Sequence, residues 1–215
     1  TSNKLFTWGD NQYGQLGKFS TYSSLYWSQV VTGDDHILAL RYDGKLFALG
    51  LNSSGQLGDN TTINRSSPVQ IGNSFWSSIS AGNIHSTGIT VDGLLYVWGN
   101  NSNSELGTLN LISYSSPVQI TGGGSWIAVS SGTHNLAISS YDYGLYGWGT
   151  NTYGQVGGQT STIALSWKSM SIGDSGYVAA ISPDNLLFTW GFNSNGVLGN
   201  NSTGSGSNPP IKIRS

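Results

Sequence analysis

The chain has 215 residues, a formal net charge of −2 and only 8% charged residues; its eight Lys plus Arg are scattered singly and it contains no Cys. No basic stripe is present to neutralise a run of phosphates, which argues against nucleic-acid binding, and the longest apolar runs fall well short of a membrane span. The absence of Cys excludes disulfides, Cys-ligated zinc and thiol catalysis. Although the chain is polar, its 12% aromatic content and eight Trp argue for a packed all-β protein rather than disorder. No signal peptide is visible, and with Thr1 first and Met170 the sole Met, a processed, trimmed or partial product is expected. The weakly charged polar surface favours an extracellular or virion location.

In chain order, the first predicted element is the β run at 5–8, which opens the phrase LFTWGDNQYGQLG at 5–17. The block VVTGDDHILALRYDG at 30–44 follows, and then a second phrase, LFALGLNSSGQLG, at 46–58. SSPVQI at 66–71 and SSISAGNIHSTGITVDG at 77–93 lead into LYVWGNNSNSELG at 95–107. SSPVQI recurs at 115–120, before AVSSGTHNLAISSYDYG at 128–144 and LYGWGTNTYGQVG at 145–157. SMSIGDSGYVAAISPDN at 169–185 precedes LFTWGFNSNGVLG at 187–199, and the chain ends on a Pro-Pro-Ile-Lys-Ile run. The Gly of the Trp-Gly position therefore recurs at Gly9, Gly50, Gly99, Gly149 and Gly191, every 41 to 50 residues.

A long unit offers four β runs, at 68–71, 76–80, 86–91 and 94–98, and four short strands per 40–50 residues is the pattern of a propeller blade. Asp-Gly at 43–44 and 92–93 predicts tight type I′ hairpins, with both residues at positive φ. Asp184–Asn185 is a near equivalent, and Asp142–Tyr143–Gly144 predicts a three-residue turn. The Asn-x-x-Gly-Gln-Leu-Gly tail is expected to carry the chain between blades. Small residues at 80–82 and 130–132 suit a crowded inner strand. The repeated Trp8, Trp98, Trp148 and Trp190, with Leu49 in the fifth copy, are expected to pack between blades.

Ala-Gly-x-x-His, then Asp-Gly-x-Leu-Tyr-x-Trp-Gly-x-Asn-x-x-Gly-Gln-Leu-Gly, resembles the regulator-of-chromosome-condensation (RCC1) repeat over nearly the whole chain. In its uncharged, Asn/Ser/Thr-rich form the sequence is similar to arrays in bacterial and phage proteins. The resemblance implies an all-β propeller of four-stranded antiparallel blades. The sequence divides into repeat units at 18–58, 59–107, 108–157 and 158–199, with part-units at 1–17 and 200–215, in a single repeat domain. Three architectures are open: a segment of a seven-bladed propeller, a smaller closed ring, or an array whose open edges another chain completes.

His36, His85 and His134 occupy equivalent positions and could suggest zinc. Because Tyr177 holds the fourth copy, structural hydrogen-bonded histidines explain the pattern better, and no metal or cofactor is expected. Asp43, Asp92, Asp142 and Asp184 resemble general acids but stand where hairpin tips want Asp. The triple glycine at 122–124 lacks the Lys of a phosphate loop, and no nucleophile constellation is present. The remaining candidates are aromatic: Tyr13 and Tyr153 at one loop position, and Phe19, Tyr22, Tyr26 and Tyr114 in the variable connections. Aromatics among Ser, Asn and Gly are what adaptable binding faces use.

The function expected is non-enzymatic binding of a protein or glycan through propeller-face loops, including neighbouring subunits of a virion or fibre. The resemblance also implies two alternatives, guanine-nucleotide exchange on a small GTPase and protein inhibition of an enzyme. A light-sensing role is discounted because the Gly-Trp-Arg-His-Thr motif is absent.

Overall fold

The computed structural model describes residues 8–16, 26–122, 124–156, 166–173 and 175–213. It is a β-propeller arrangement of antiparallel sheets with no helix among those residues. The first blade is β1 (Trp27–Thr32), β2 (His36–Arg41), β3 (Leu46–Gly50) and β4 (Arg65–Gln70); the second is β5 (Trp76–Ala81), β6 (His85–Thr90), β7 (Leu95–Gly99) and β8 (Tyr114–Gln119). β9 (Trp126–Ser131), β10 (His134–Ser139) and β11 (Leu145–Gly149) form the third sheet. β12 (Ser169–Gly173), β13 (Tyr177–Ile181), β14 (Leu187–Asn193) and β15 (Gly204–Lys212) form the fourth. The blades stack in chain order, inner strand β1 against β5, β5 against β9 and β9 against β12.

Each sheet cuts the sequence one strand later than the repeat units do. The SSPVQI run at 66–71 supplies β4, which pairs with β3 (Phe47 opposite Gln70, Ala48 opposite Val69) and so completes the preceding blade. β8 does the same for β7, and the C-terminal Pro-Pro-Ile-Lys-Ile run lies in and just beyond β15, the last strand of the fourth blade. The Asn-x-x-Gly-Gln-Leu-Gly tail is therefore a return loop within a blade, not a connector between blades. The reason is its Asn. Asn52 is fully buried; its Oδ1 accepts from Leu57 N at 3.0 Å while its Nδ2 donates to the carbonyls of Thr61 and Ile63, both at 3.1 Å. Asn101 repeats this with Leu106 N, Asn110 O and Ile112 O, and Asn193 does so with Leu198 N and Ser202 O. One side chain thus turns the strand back on itself.

Asn52→Ala is expected to lower stability by about 2–3 kcal/mol, because it leaves the buried Leu57 N–H and the carbonyls of Thr61 and Ile63 without their partner. Urea unfolding checks this, and a midpoint equal to that of the parent protein contradicts it.

The hairpins also differ from expectation. Gly44 N donates to Arg41 O and Arg41 N to Lys45 O, both at 2.9 Å, and of the Asp-Gly pair only Gly44 is at positive φ (80°). Gly93 (78°) and Asn185 (63°) take the same place in blades two and four. This is a three-residue loop ending in a left-handed residue, so Asp43 and Asp92 need no positive φ. The inserted residue of the third blade makes its loop longer, closed by Ser139 N on Gly144 O, and puts Tyr143 rather than glycine at positive φ (55°).

Three apolar clusters lie between the blades. Leu38, Leu40 and Leu46 of the first blade meet Trp76, Ile79 and Trp98 of the second. Ile89 and Leu95 meet Trp126 and Ala137, with Trp148 packed alongside. Leu136, Ile138 and Leu145 meet Trp167, Val178, Ala180 and Trp190. Trp98 and Trp190 therefore stand between blades, each donating its indole N–H to the return loop of the preceding blade (Gln56 O at 2.9 Å, Gln155 O at 3.0 Å). The loop's last glycine makes room for the ring: a Cβ on Gly58 would lie 2.7 Å from Trp98 Nε1, and one on Gly107 would lie 2.7 Å from Trp148 Cδ1. Trp148 is half-buried. Trp8 departs from the pattern and is 84% exposed.

A second tryptophan series escaped the sequence reading. Trp27, Trp76, Trp126 and Trp167 open the inner strands or just precede them. Each meets an aromatic of the third strand edge-on, at 5.3 to 5.6 Å: Phe47, Tyr96, Tyr146 and Phe188. The last three of these tryptophans form the plates that cover the previous blade. They lack the Gly neighbour that marks the other series, so only their spacing could have identified them.

Candidate functional site

Antiparallel pairing gives the stack two ends. At the loop end lie the turns between first and second strands and the return loops. At the opposite, hairpin-tip end lie the tight turns between second and third strands and the blade-to-blade connections. The two ends are held differently. At the loop end, Asp34 N donates to Asn83 O (3.1 Å) of the next blade; at the hairpin-tip end, Trp76 N donates to Gly44 O (2.8 Å) and Trp126 N to Gly93 O (2.9 Å).

The repeated histidines sit just inside the loop end, and two of them, His36 and His85, are blade-to-blade struts. His36 Nε2 meets Ser86 Oγ at 2.9 Å, and Ser86 Oγ donates onward to Gln56 O at 2.8 Å. His85 Nε2 meets Asn135 Oδ1 at 2.8 Å, and Asn135 Nδ2 donates to Glu105 O. His36, His85 and His134 are all buried. Burial, reinforced by His85, pushes His36 down to about 3. Burial likewise lowers His85 and takes His134 to about 4. All three are therefore neutral at pH 7. Among the described residues, no three His, Asp or Glu side chains come together as a metal site.

Two of the tip aspartates, Asp43 and Asp142, are engaged locally. Asp43 accepts from Arg41 Nε at 2.8 Å, and that bond, the largest influence, holds its carboxyl below the usual range. Asp142 accepts from Gly144 N at 2.9 Å and Tyr146 OH at 3.0 Å; the first bond depresses its carboxyl, and Asp142 in turn raises the Tyr146 hydroxyl.

The candidate aromatics do not form one surface. Tyr13 and Tyr153 lie in return loops at the loop end, their backbone N–H groups donating to Gln15 and Gln155; the Tyr153 ring packs on Phe192 at 4.8 Å. Tyr114 opens β8 at the same end rather than lying in a connection, and its hydroxyl accepts from Asn110 at 3.1 Å. Tyr26, half-exposed, lies at the hairpin-tip end, where its carbonyl receives Tyr42 N at 3.0 Å. Phe19 and Tyr22 fall outside the described residues.

What the sequence reading missed is a rim at the hairpin-tip end. Tyr42 (65% exposed), Val91 (61%) and Tyr141 (89%) occupy the same position in three successive blades, immediately before the tip aspartate. Phe75 and Tyr143 stand beside them, half-exposed. Adjacent tips touch: Lys45 Nζ lies 3.8 Å from the centre of the Phe75 ring, and Ser125, which bridges to Ser140, lies against Gly93. The signal available in the sequence was the Tyr before Asp at 42–43 and 141–142.

Charge separates the ends further. Among the described residues the loop end carries Asp10, Asp34, Asp35, Asp59 and Glu105 with Arg65 alone against them. Burial pushes the Asp59 carboxyl up, but bonds from Thr61 and Arg65 outweigh it and hold it low. At the hairpin-tip end Asp43, Asp92, Asp142 and Asp184 are matched by Arg41, Lys45, Lys168 and Lys212. Arg41 pairs with Asp43, and Lys45 and Lys168 donate to Asn73 O and Asn185 Oδ1. The rim is thus aromatic and electrically compensated, whereas the loop end is acidic.

Comparison with known proteins adds the following. A family model described as the regulator of chromosome condensation (RCC1) repeat matches residues 43–89 and 92–138, and a second model of that repeat matches 27–56 and 76–105. Human probable E3 ubiquitin-protein ligase HERC3 is 35% identical over 80 residues, covering 32% of this chain and 8% of that protein. Human protein RCC2 is 40% identical over 83 residues, covering 33% of this chain and 16% of that protein. The match thus takes in only a small part of either relative. Among solved structures, human WBSCR16 superposes with a TM-score of 0.80 at 21% identity, over 96% of this chain and 61% of that one. Prp20p of Saccharomyces cerevisiae superposes at 0.76 and 22%, over 91% and 52%. At these identities the structural likenesses speak for the fold alone.

Proposed function

The chain belongs to the regulator of chromosome condensation repeat family, and on that premise we propose that it is a non-enzymatic module that binds a protein partner through the hairpin-tip end of its blades. The observation that carries this reading is the compensated aromatic rim: one exposed Tyr or Val per tip in three successive blades, with Phe75 and Tyr143 beside them. Large rigid rings at low charge contribute contact area with little loss of conformational freedom. Protein binding also accords with what is known of similar folds, since the structural descriptions of Prp20p concern its binding to Gsp1p, histones and Kap60. Asp43, Asp142, His36, His85 and Ser86 are engaged in turns and struts, which supports binding rather than catalysis.

Tyr141→Ala combined with Tyr143→Ala is expected to weaken partner binding about tenfold or more while leaving the urea midpoint within about 0.5 kcal/mol of the parent. Binding should change little between low and high salt, because the rim offers no uncompensated charge. Glycan arrays, virion-subunit pull-downs and nucleotide-release assays with small GTPases are the parallel arms. Binding that is lost with Asp34→Asn and Asp35→Asn instead, and that collapses in salt, would place the partner on the loop end and refute this reading.

A further inference from the structure

The strut that joins successive blades is complete twice and broken once. His36 reaches Ser86 and His85 reaches Asn135, each 50 residues on. The residue in the corresponding place of the fourth blade is Val178, which offers no acceptor or donor. His134 Nε2 is accordingly buried without a hydrogen-bond partner, and its Nδ1 has only a long contact, 3.4 Å, to the neighbouring Thr133 hydroxyl.

Other polar links thin out at the same seam. Between the first and second blades, Gln29 bonds both the N–H and the carbonyl of Ile79, Trp98 donates to Gln56 O, and Asp34 N donates to Asn83 O. Between the second and third, Ser131 N donates to Ser80 Oγ, Thr87 and Ser131 hydroxyls meet at 2.8 Å, and Asn83 N faces Gly132 O. Between the third and fourth, among the described residues, the links are Trp190 Nε1 to Gln155 O and Trp167 N to Tyr143 O. The rest of that seam is the apolar cluster of Leu136, Ile138, Val178, Ala180 and Trp190.

We propose that the seam between the third and fourth blades is an acid-sensitive joint, at which protonation of His134 releases the fourth blade while the first three stay packed. A charge on His134 would face Val178 and the apolar cluster of the fourth blade, where no described side chain offers an acceptor. The titratable neighbours do not help. His85 on the second blade is also cationic when protonated and opposes a charge on His134. Glu105, whose backbone lies behind Gly149 of the third blade, has its carboxylate engaged by Asn103. Tyr177 holds the place of His134 on the fourth blade, its ring lying over Gly173 of its own blade. His36 and His85 also resist protonation, but their seams are cross-linked by the additional polar bonds above. Once the fourth blade separates, His134 meets water and regains an ordinary affinity for protons, so falling pH shifts the equilibrium toward the open form.

Amide hydrogen exchange on the full chain, normalised to the unfolded-chain rate at each pH, tests this. Between pH 7 and pH 5, the protection of residues 169–193 relative to that of residues 76–99 should fall on the order of tenfold. His134→Tyr, which copies the fourth repeat, should abolish the change; Val178→Asn, which restores the missing acceptor, should reduce it. An equal loss of protection in all blades, or an undiminished relative loss in His134→Tyr, overturns the proposal.

Discussion

Replacing Trp98 by alanine is expected to cost about 3–5 kcal/mol, the range for emptying a fully buried aromatic site. The indole is wholly enclosed between the first and second blades, within the cluster of Leu38, Leu40, Leu46 and Ile79. It packs on Trp76 with ring centroids 5.8 Å apart, and donates to Gln56 O of the return loop. Trp98→Phe should retain much of the packing and lose the hydrogen bond, for a cost nearer 1–2 kcal/mol. Trp8, at the same repeat position, is 84% exposed, so Trp8→Ala should stay within about 0.5 kcal/mol of the parent. Urea midpoints of the three variants decide the matter. Equal effects of Trp8→Ala and Trp98→Ala would mean that the repeat position, rather than the seam, governs the energy.

Acid is expected to destabilise the whole fold over the same range in which the fourth blade loosens. His36 titrates at about 3 and His134 at about 4 in the folded protein, against about 6.5 in an unfolded chain. Below pH 6.5 the unfolded chain binds protons that the folded chain refuses, so stability is lost as pH falls and stops falling only below the folded values. Each histidine contributes about 1.4 kcal/mol per pH unit, and the two together about 3–4 kcal/mol between pH 6.5 and 5. His85, also lowered by burial, adds to this. The urea midpoint at pH 5 should therefore lie well below that at pH 7, and replacing both His36 and His134 by Tyr should flatten the dependence. An unchanged midpoint across this range would show that the histidines are not held neutral by the fold.

The architecture was legible because repetition writes it into the chain. Five copies of one phrase, hairpin signals at Asp43–Gly44 and Asp92–Gly93, and the β runs between them are local patterns, and they led to blades of antiparallel strands as observed. The struts were legible in part: equivalence of His36, His85 and His134 suggested structure rather than metal, but their partners Ser86 and Asn135 lie a whole repeat away. The binding surface was the least legible. Tyr13, Tyr114 and Tyr153 look like companions of Tyr26 in the sequence, yet strand direction sends them to the opposite end. The rim residues Tyr42, Val91 and Tyr141 attract no notice until the tips are seen side by side.

By itself, then, the sequence determined the repeat, the strand content and the family resemblance, since these depend on hydrogen-bonding and steric rules that act within a few residues. It also placed the tip aspartates correctly in turns. Tertiary structure alone decided where one blade stops and the next begins, because that depends on which neighbour β4 and β8 pair with, and Asn52 and Asn101 settle it by folding the return loop back. It also decided how Trp98 is held, enclosed between two blades with its indole on the return loop of the preceding one. And it decided which histidine is left unsatisfied. His134 is like the other two in its own sequence, but it faces Val178 across a seam, and a partner 44 residues away leaves no mark on the local pattern.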